Sequence, residues 1–379
     1  MIYILSIFLF LFLFLFSLSN ASAQEISARY LGLTLEGGAS VGYYWSNSSY
    51  NSNYGLVANS SDVFDDNRDN IALSDLLLEM HSKKIGPMDA EISFGIGNLK
   101  SIDILDGNAN HALGSVYQTQ TTSFGTGGVS SRTVDQKINL DDQFDVNLYY
   151  GQITVSPMES TYIEAGQLAT NLGYEVSPTY ANWNNALGLV WSKQPKYYPG
   201  ARIKYEVEDA NVYVEYNQNG IDDGRHAWVL GVYGTFEVVR YSASYFDTNN
   251  GRNVANLMIE ADFPNVIAAI NFDYHSLDTT PLASNDREAY AVAVYAIPHY
   301  QNYYLPLRVE YVKEGDSRIF GLDRAYTLTI SPTMYMADNT FVRVEASYVS
   351  SANDVFQRMS DNLTSFTKWS MNAQLGYYF

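Results

Sequence analysis

The sequence predicts an all-β fold, a transmembrane antiparallel β-barrel of about sixteen strands. Three observations predict it. Short segments alternate apolar and polar side chains with a period of two, as half-buried strands do. The segments are about ten residues long, which matches tilted strands that cross a bilayer. The chain ends in Leu-Gly-Tyr-Tyr-Phe, so an aromatic residue closes the last predicted strand.

Composition narrows the functional classes. A length of 379 residues suits one large β-structure, and the 32 tyrosines favour sheets and membrane interfaces. The net charge of −19 argues against nucleic acid, because no basic stripe could neutralise phosphates. The absence of cysteine excludes disulfides, thiol catalysis and Cys-ligated metals. We therefore expect no cofactor and no metal site, and any ionic partner is expected to be a cation.

The N-terminus predicts export. Residues 4–16 form an apolar run too short for a membrane-spanning helix, and Ala21-Ser22-Ala23 supplies the small residues of a cleavage site. We predict a signal peptide at 1–23, cleaved after Ala23, followed by the barrel at 24–379. No Lys or Arg precedes the apolar run, so an uncleaved anchor remains an alternative.

The last segment shows the alternation most clearly. Trp369, Met371 and Leu375 fall on one face, and Ser370 and Asn372 fall on the other. In a soluble sandwich such apolar faces would meet between two sheets. In an outer-membrane barrel the apolar face contacts lipid and the polar face lines water. The segment length and the terminal aromatic favour the barrel.

Counting backwards from Phe379 gives an even number of strands, as a bacterial barrel requires. The predicted strands are 30–45, 72–83, 88–98, 143–155, 161–169, 199–207, 210–217, 225–234, 237–246, 252–262, 264–275, 287–297, 302–314, 324–335, 339–349 and 368–379. Short connections then fall on one side, as periplasmic turns, at 84–87, 156–160, 208–209, 235–236, around Pro264, 298–301 and 336–338. Eight long polar connections fall on the other side.

The third long loop, residues 170–198, carries more aromatic residues than a solvated loop needs. A sixteen-stranded barrel is wide enough for an aqueous channel unless something fills it. We expect this third extracellular loop to fold inward and narrow the pore. It could instead cap the rim or contact a neighbouring subunit. The apolar piece Leu187–Trp191 is assigned to this loop, because counting it as a strand would break the even number.

The inward faces of the predicted strands carry more acids than bases. Rings of carboxylates favour cations in pores, so we predict a weakly cation-selective channel. Alternatively, many of these charges pair across strands and only hydrate the wall. The candidate pore and constriction residues are Tyr174, Glu175, Asn182, Trp183, Lys193, Arg202, Lys204, Glu206, Arg240, Glu260, Arg308, Glu310, Arg343 and Glu345.

Two serine motifs suggest a hydrolase only superficially. Gly38-Ala39-Ser40-Val41-Gly42 has the G-x-S-x-G spacing but lies inside an alternating strand, whereas a nucleophile elbow needs a strand-to-helix turn. Gly315-Asp316-Ser317 lies in a late loop with no predicted helix beside it. We expect no enzyme activity and no catalytic residues.

Other polar groups are expected to be solvated. The five histidines, at 81, 111, 226, 275 and 299, lack metal-ligand spacing. Asp62, Asp65, Asp66 and Asp69 form an acidic cluster in the first long loop without the spacing of an EF-hand. Bridging to lipopolysaccharide through divalent ions is the alternative for this cluster. Tyr43, Tyr44, Trp45, Tyr303 and Tyr304 are expected to form the aromatic girdles at the membrane interface.

A family resemblance lies in and around the third loop. The pattern consists of Gly166-Gln167, Thr170, Gly173-Tyr174-Glu175, Asn182, Pro195, Gly200-x-Arg202, Tyr205 and Asn219-Gly220. It resembles the OmpL-like β-barrel porins of the bacterial outer membrane, and the likeness extends from the first strand to the end. Where that family carries a Ser-Arg-Ser-Tyr-like stretch, this chain has Leu-Val-Trp-Ser-Lys at 189–193.

The resemblance implies passive diffusion of small solutes or ions across the outer membrane of a Gram-negative bacterium, with no catalytic residues to carry over. Expected partners are outer-membrane lipid, lipopolysaccharide and, for wide barrels of this type, two further copies in a homotrimer. The terminal aromatics Tyr377 and Phe379 resemble the signal that the barrel assembly machinery reads. The alternative is a non-conducting barrel that serves as a surface adhesin or structural protein; a hydrolytic barrel is a third.

Overall fold

The computed structural model describes residues 33–50, 69–82, 89–103, 109–110, 147–218, 226–248, 251–278, 287–315, 319–337, 339–358 and 364–379. They form a closed antiparallel barrel of sixteen strands. The first eight are β1 Leu33–Ser46, β2 Asp69–Ser82, β3 Glu91–Asp103, β4 Asn147–Met158, β5 Thr161–Ala169, β6 Tyr197–Val207, β7 Ala210–Gln218 and β8 His226–Phe236. The others are β9 Val239–Thr248, β10 Arg252–Phe263, β11 Val266–Leu277, β12 Glu288–Tyr300, β13 Tyr303–Tyr304 with Leu307–Glu314, β14 Arg324–Ile330 with Thr333–Ala337, β15 Thr340–Ser351 and β16 Thr367–Tyr378.

The first and last strands close the barrel. β1 pairs with β16 from Gly38 opposite Tyr378 to Ser46 opposite Ser370. Phe379 extends the ladder: its N–H donates to the carbonyl of Gly37 at 2.9 Å, and its own carbonyl accepts from Gly37 N at 3.1 Å. Closure satisfies the backbone groups that an open edge would expose to lipid.

The predicted alternation is confirmed. On β16, Trp369 is 52% exposed and Met371 is 51% exposed, whereas Ser370 and Asn372 are buried. The other strands also turn large apolar side chains outward. Their inward faces are mostly polar, but those of β8 and β12 are largely apolar, with Ala227, Val229, Ala289 and Ala291 among the inward residues. Short connections lie at one end of the barrel, which we call the turn end. Long connections lie at the other end, which we call the loop end.

Several strands run further than predicted. The turns predicted at 235–236 and 298–301 are wrong, because β8 continues to Phe236 and β12 to Tyr300. Two residues suffice to close each hairpin, with Glu237 and Gln301 both at a φ of 53°. Neither Glu237 nor Gln301 is the glycine or asparagine that hairpin rules lead one to expect at a positive φ. The two-residue turn at 208–209 is confirmed.

Prolines interrupt two strands that were predicted as continuous. β13 breaks at Pro306 and β14 at Pro332. Proline has no N–H for the ladder, so pairing stops there. The carbonyls remain in use, since Pro306 O accepts from Ser331 N at 2.9 Å and Pro332 O accepts from Val344 N at 3.0 Å.

One predicted girdle residue faces the wrong way. Tyr303 is exposed on the outside, but its neighbour Tyr304 points inward, as the period of two requires, and stacks on Trp183 with ring centroids 5.2 Å apart. Tyr43 and Trp45 are partly exposed on the outside, and the side chain of Tyr44 lies outside the described residues.

The stretch Leu187–Trp191 is not a barrel strand, as its assignment to the loop predicted. Ala186–Leu187 form a two-residue parallel bridge with Ile102–Asp103, and helix α1 follows at Leu189–Ser192. A short 3-10 helix precedes them at Thr179–Ala181.

In the part of the chain that the structure describes, no helix has the length and apolar character to cross a membrane. The predicted signal peptide, residues 1–23, lies outside the described residues.

Candidate functional site

The connection between β5 and β6, which corresponds to the predicted third loop 170–198, contacts the inward faces of several strands. Its partners lie on β2, on β10 and β11, and on β13 to β16. Most of these contacts use backbone atoms of the loop. The barrel wall therefore binds the loop mainly through the backbone of the loop.

Glu345 on β15 is the most heavily used acceptor. Its two carboxylate oxygens accept from the backbone N–H of Asn185 at 2.7 Å and of Ala186 at 2.9 Å. The hydroxyl of Ser331 donates at 2.6 Å and the amide of Asn372 at 3.0 Å. Glu345 is fully buried, and an ionised carboxylate is the side chain that can accept from all these donors.

Arg308 on β13 is buried between two acids. It forms an ion pair and hydrogen bond with Glu175 of the third loop, and its Nε lies 3.3 Å from Glu310 Oε2. Its Nη1 also donates to the carbonyl of Ala186 at 2.8 Å. Glu310 in turn accepts from Val190 N at 3.1 Å. Pairing offsets the cost of burying these charges, so removal of Arg308 leaves two buried acids without their base.

Arg343 on β15 holds the start of the loop. Its guanidinium donates to the carbonyl of Thr179 at 3.3 Å and to that of Asn182 at 2.6 Å. Asp75 on β2, from the neighbouring part of the wall, accepts from Thr179 N at 2.8 Å and from the Thr179 hydroxyl. Thr179 is thereby fixed by two strands at once.

Tyr180 packs where β1 has no side chain. A Cβ built on Gly38 would lie 2.5 Å from Tyr180 Cε2, so the ring needs the glycine. Burial raises the pKa of the Tyr180 phenol, and the carboxylates of Glu79 and Asp75 add to the rise. The hydroxyl therefore stays protonated at neutral pH.

Small wall residues also receive the apolar part of the loop. Leu189 and Val190 of helix α1 pack in one buried cluster with Ala289, Ala291 and Ala293, which form the inward face of β12. Because alternate residues of β12 are alanines with small side chains, this part of the wall leaves room for the helical turn.

A second charged group lies on β5 to β7. Arg202 pairs with Glu215 at 2.6 Å and with Glu164 at 3.0 Å, and Lys204 Nζ reaches Glu164 at 3.1 Å. Beside it the Tyr162 hydroxyl donates to Glu206 at 3.2 Å. The alternative that lumen charges pair across strands therefore holds for this group.

A third group lies towards the turn end of β9 and β10. Arg240 pairs with Glu260 at 3.1 Å, with side chains 55% and 15% exposed. Arg240 is more exposed than Glu260, and solvent screens this pair more than it screens the buried pairs.

The structure thus places the fourteen candidate residues in three groups. The third loop brings Glu175, Asn182, Arg308, Glu310, Arg343 and Glu345 together, with Tyr174 against Tyr295, Trp183 against Tyr304, and the carbonyl of Lys193 accepting from Arg252. Arg202, Lys204 and Glu206 form the second group, and Arg240 and Glu260 the third.

Sequence reasoning missed part of this interface. Asp75, Thr179 and Asn185 contribute central hydrogen bonds but carry no distinctive spacing in the sequence. His275, expected to be solvated, is instead fully buried: it points inward on β11, 3.7 Å from Asp273, with its ring edge-on to Phe320 in the connection between β13 and β14. This connection covers His275, which the sequence does not indicate.

Ser40 does not lie at a strand-to-helix turn, as a nucleophile elbow requires. Ser40 lies within β1, where it accepts from Gln374 Nε2 at 3.0 Å and faces Asp75 at 3.5 Å. Ser317 and the acidic residues Asp62, Asp65 and Asp66 lie outside the described residues. Within the described ranges, no three His, Asp or Glu side chains are arranged to hold a metal ion.

Two cavities border these groups. One of about 50 Å³ lies between the third loop and Arg240, with Glu175, Asn182 and Trp183 in its lining. The other, of about 280 Å³, lies at the turn end of β2 to β6 and is lined by side chains of those five strands and Asp89. The space left beside the loop is thus polar and charged.

A closed antiparallel barrel with an apolar outside and a charged interior defines the class of outer-membrane β-barrel proteins. The chain belongs to the family described as "Putative beta-barrel porin-2, OmpL-like", whose model matches residues 32–379. Membership places it in the outer membrane of a Gram-negative bacterium.

Solved outer-membrane proteins share the fold. OmpT of Vibrio cholerae is 10% identical, with a TM-score of 0.54 over 92% of this chain and 97% of that one. Its in-vitro folded trimer form is 9% identical, with a TM-score of 0.54 over 92% and 99%. A triple-mutant porin of Rhodopseudomonas blastica is 12% identical, with a TM-score of 0.48 over 92% and 100%. No curated protein sequence gives a significant match.

Proposed function

We propose that this chain is an outer-membrane porin that allows passive diffusion of small hydrophilic solutes, with residues 170–198 as an inward-folded constriction loop. One observation carries the proposal: the loop is bound by its backbone to inward side chains of several strands, among them Asp75, Arg308 and Glu345. A loop that only capped the rim would not contact so many buried charges. Family membership supports the same function.

We further propose weak cation selectivity. The buried interior charges pair with one another or with the loop, so the exposed ones decide what a passing ion experiences. On the inward faces of the described strands and the adjoining turn, Glu36, Asp89, Glu206 and Asp262 are exposed acids, whereas Arg240 is an exposed base. This balance favours cations.

Deletion of residues 175–195 tests the constriction. The deleted barrel should conduct more current per channel than the full chain, because the loop no longer narrows the pore. A heat-modifiable mobility shift on gel electrophoresis verifies that both proteins are folded. If the folded full chain and the folded deletion variant are both silent, the porin proposal fails and a non-conducting adhesin replaces it.

The partners belong to the same proposal. The exposed apolar outside suits outer-membrane lipid, and the loop end suits lipopolysaccharide. Tyr377 and Phe379, which stack at 6.1 Å at the end of the closing strand, are proposed as the signal for the barrel assembly machinery. A homotrimer is proposed on the precedent of the trimer form of OmpT. Removal of a signal peptide after Ala23 is proposed for export.

A further inference from the structure

We propose that the cavity of about 280 Å³ at the turn end of β2 to β6 is a binding subsite for a small, neutral, polyhydroxylated solute of monosaccharide size. This inference rests on the proposed porin function and names a solute class for it. It concerns a part of the interior that the third loop does not occupy.

The cavity is built by cross-strand neighbours on the barrel wall. Ser93 on β3 lies opposite Gln152 on β4, and Glu91 lies opposite Thr154. On the next two strands Glu164 lies opposite Arg202, with Tyr162 opposite Lys204. Strand pairing fixes these positions, so the lining is largely preformed.

The charged groups of the lining already have partners. Lys204 pairs with Glu164 at 3.1 Å, and Glu164 also pairs with Arg202 at 3.0 Å. Glu91 lies 3.9 Å from His81 Nδ1. A cationic ligand would have to displace these contacts, and so would an anionic one. The paired charges of Lys204 and Glu164 therefore do not call for an ionic ligand.

Three neutral polar groups of the lining have no hydrogen-bond partner within the described structure. Ser93, only 6% exposed, makes no side-chain hydrogen bond within the described structure, and neither do Gln152 and Thr154. The hydroxyl and amide groups of these residues open onto the cavity, and each of the three can donate as well as accept. Solute hydroxyl groups have the same dual capacity, so a polyol can satisfy all three at once.

Size and shape agree with a small sugar. The volume lies just below the roughly 300–1,000 Å³ of sites for drug-sized ligands, so the occupant must be smaller. Lys204 Nζ lies 4.7 Å from the centroid of the Tyr162 ring, so at most one face of this ring is open to the C–H groups of a sugar.

Binding to the folded full chain in detergent micelles tests the subsite. Saturation-transfer difference NMR with D-glucose as probe should give signals that weaken about fivefold for Thr154→Val and Gln152→Leu, each of which removes one hydrogen-bonding group. Thr235→Val is the matched control, since Thr235 is exposed on the inward face of β8 and does not line the cavity. It should bind D-glucose like the parent protein.

Two results would overturn the proposal: equal D-glucose signals for the parent and both cavity variants, or saturation transfer to putrescine but not to D-glucose. The measurement needs no conduction, so the two proposals can fail separately. A silent channel that binds D-glucose through Gln152 and Thr154 contradicts the porin alone. A conducting channel without this binding contradicts the subsite alone.

Discussion

The carboxylate of Glu345 accepts a hydrogen bond from the backbone N–H of Asn185 at 2.7 Å, although the two residues are 160 positions apart in the chain. Asn185 belongs to the third loop and Glu345 to the barrel wall. The contact joins the element that would narrow the pore to the strand that must hold it. Substitutions at this junction and at the exposed charges near it should change stability, conductance or selectivity.

Glu345→Gln should loosen the third loop. The amide NH₂ of glutamine cannot accept from Ala186 N–H or from the Asn372 amide, so two buried donors lose their acceptor. We expect a loss of about 1.5–3 kcal/mol in the free energy of unfolding, measured by urea titration, and larger current fluctuations in the open channel.

Glu206→Gln is the control for that change, because Glu206 is an exposed interior acid that contacts Tyr162 and not the loop. It should leave the current fluctuations unchanged. Parent-like stability and noise in Glu345→Gln would show that the contact does not hold the loop.

Arg308→Met should be more damaging. It leaves Glu175 and Glu310 buried without their base, for which we expect a loss of about 3–5 kcal/mol in the free energy of unfolding. Adding Glu175→Gln should restore part of that loss, since it removes one of the stranded charges. A double-mutant cycle measures the coupling, and strictly additive effects would contradict the ion pair.

Gly38→Val should displace Tyr180 from β1. The new side chain would occupy the space of the tyrosine ring, which lies 2.5 Å from the position of a Cβ. We expect a larger single-channel conductance, because the loop loses its packing against β1. Gly151→Ala is the control, since its Cβ would meet no atom closer than 3.6 Å. Equal conductance in both variants would argue against Tyr180 as an anchor.

Arg240→Ser should increase cation selectivity. It removes the exposed base at the turn end and leaves Glu260 unpaired in the interior. The reversal potential in a salt gradient should move further towards the cation potential, and Glu260→Gln should move it the opposite way. A shift of both variants in the same direction would show that these charges do not act on the permeating ions.

The wall of the barrel was predictable because its signal is local. Trp369 and Met371 alternate with Ser370 and Asn372, and that period alone assigns their faces. The same period applied to Tyr303 would have turned Tyr304 inward, but its aromatic character suggested a girdle. Strand ends were less predictable, since Glu237 and Gln301 occupy turns that glycine or asparagine usually fill.

The interior was only partly predictable. Charged wall residues such as Glu345 and Arg308 stand out because a charge between lipid-facing neighbours must point inward. Thr179 and Asn185 do not stand out, because part of their bonding uses backbone N–H groups that every residue has, and their side chains carry no distinctive spacing. His275 is buried by the connection that carries Phe320, which is distant in sequence, so no local sequence pattern predicts this burial.

Single-channel conductance of the refolded protein in planar bilayers, under a salt gradient, decides whether this barrel is a diffusion channel. We expect stable current steps and a reversal potential that leans towards the cation. A folded, heat-modifiable barrel that gives no steps would contradict the claim that this barrel is a diffusion channel.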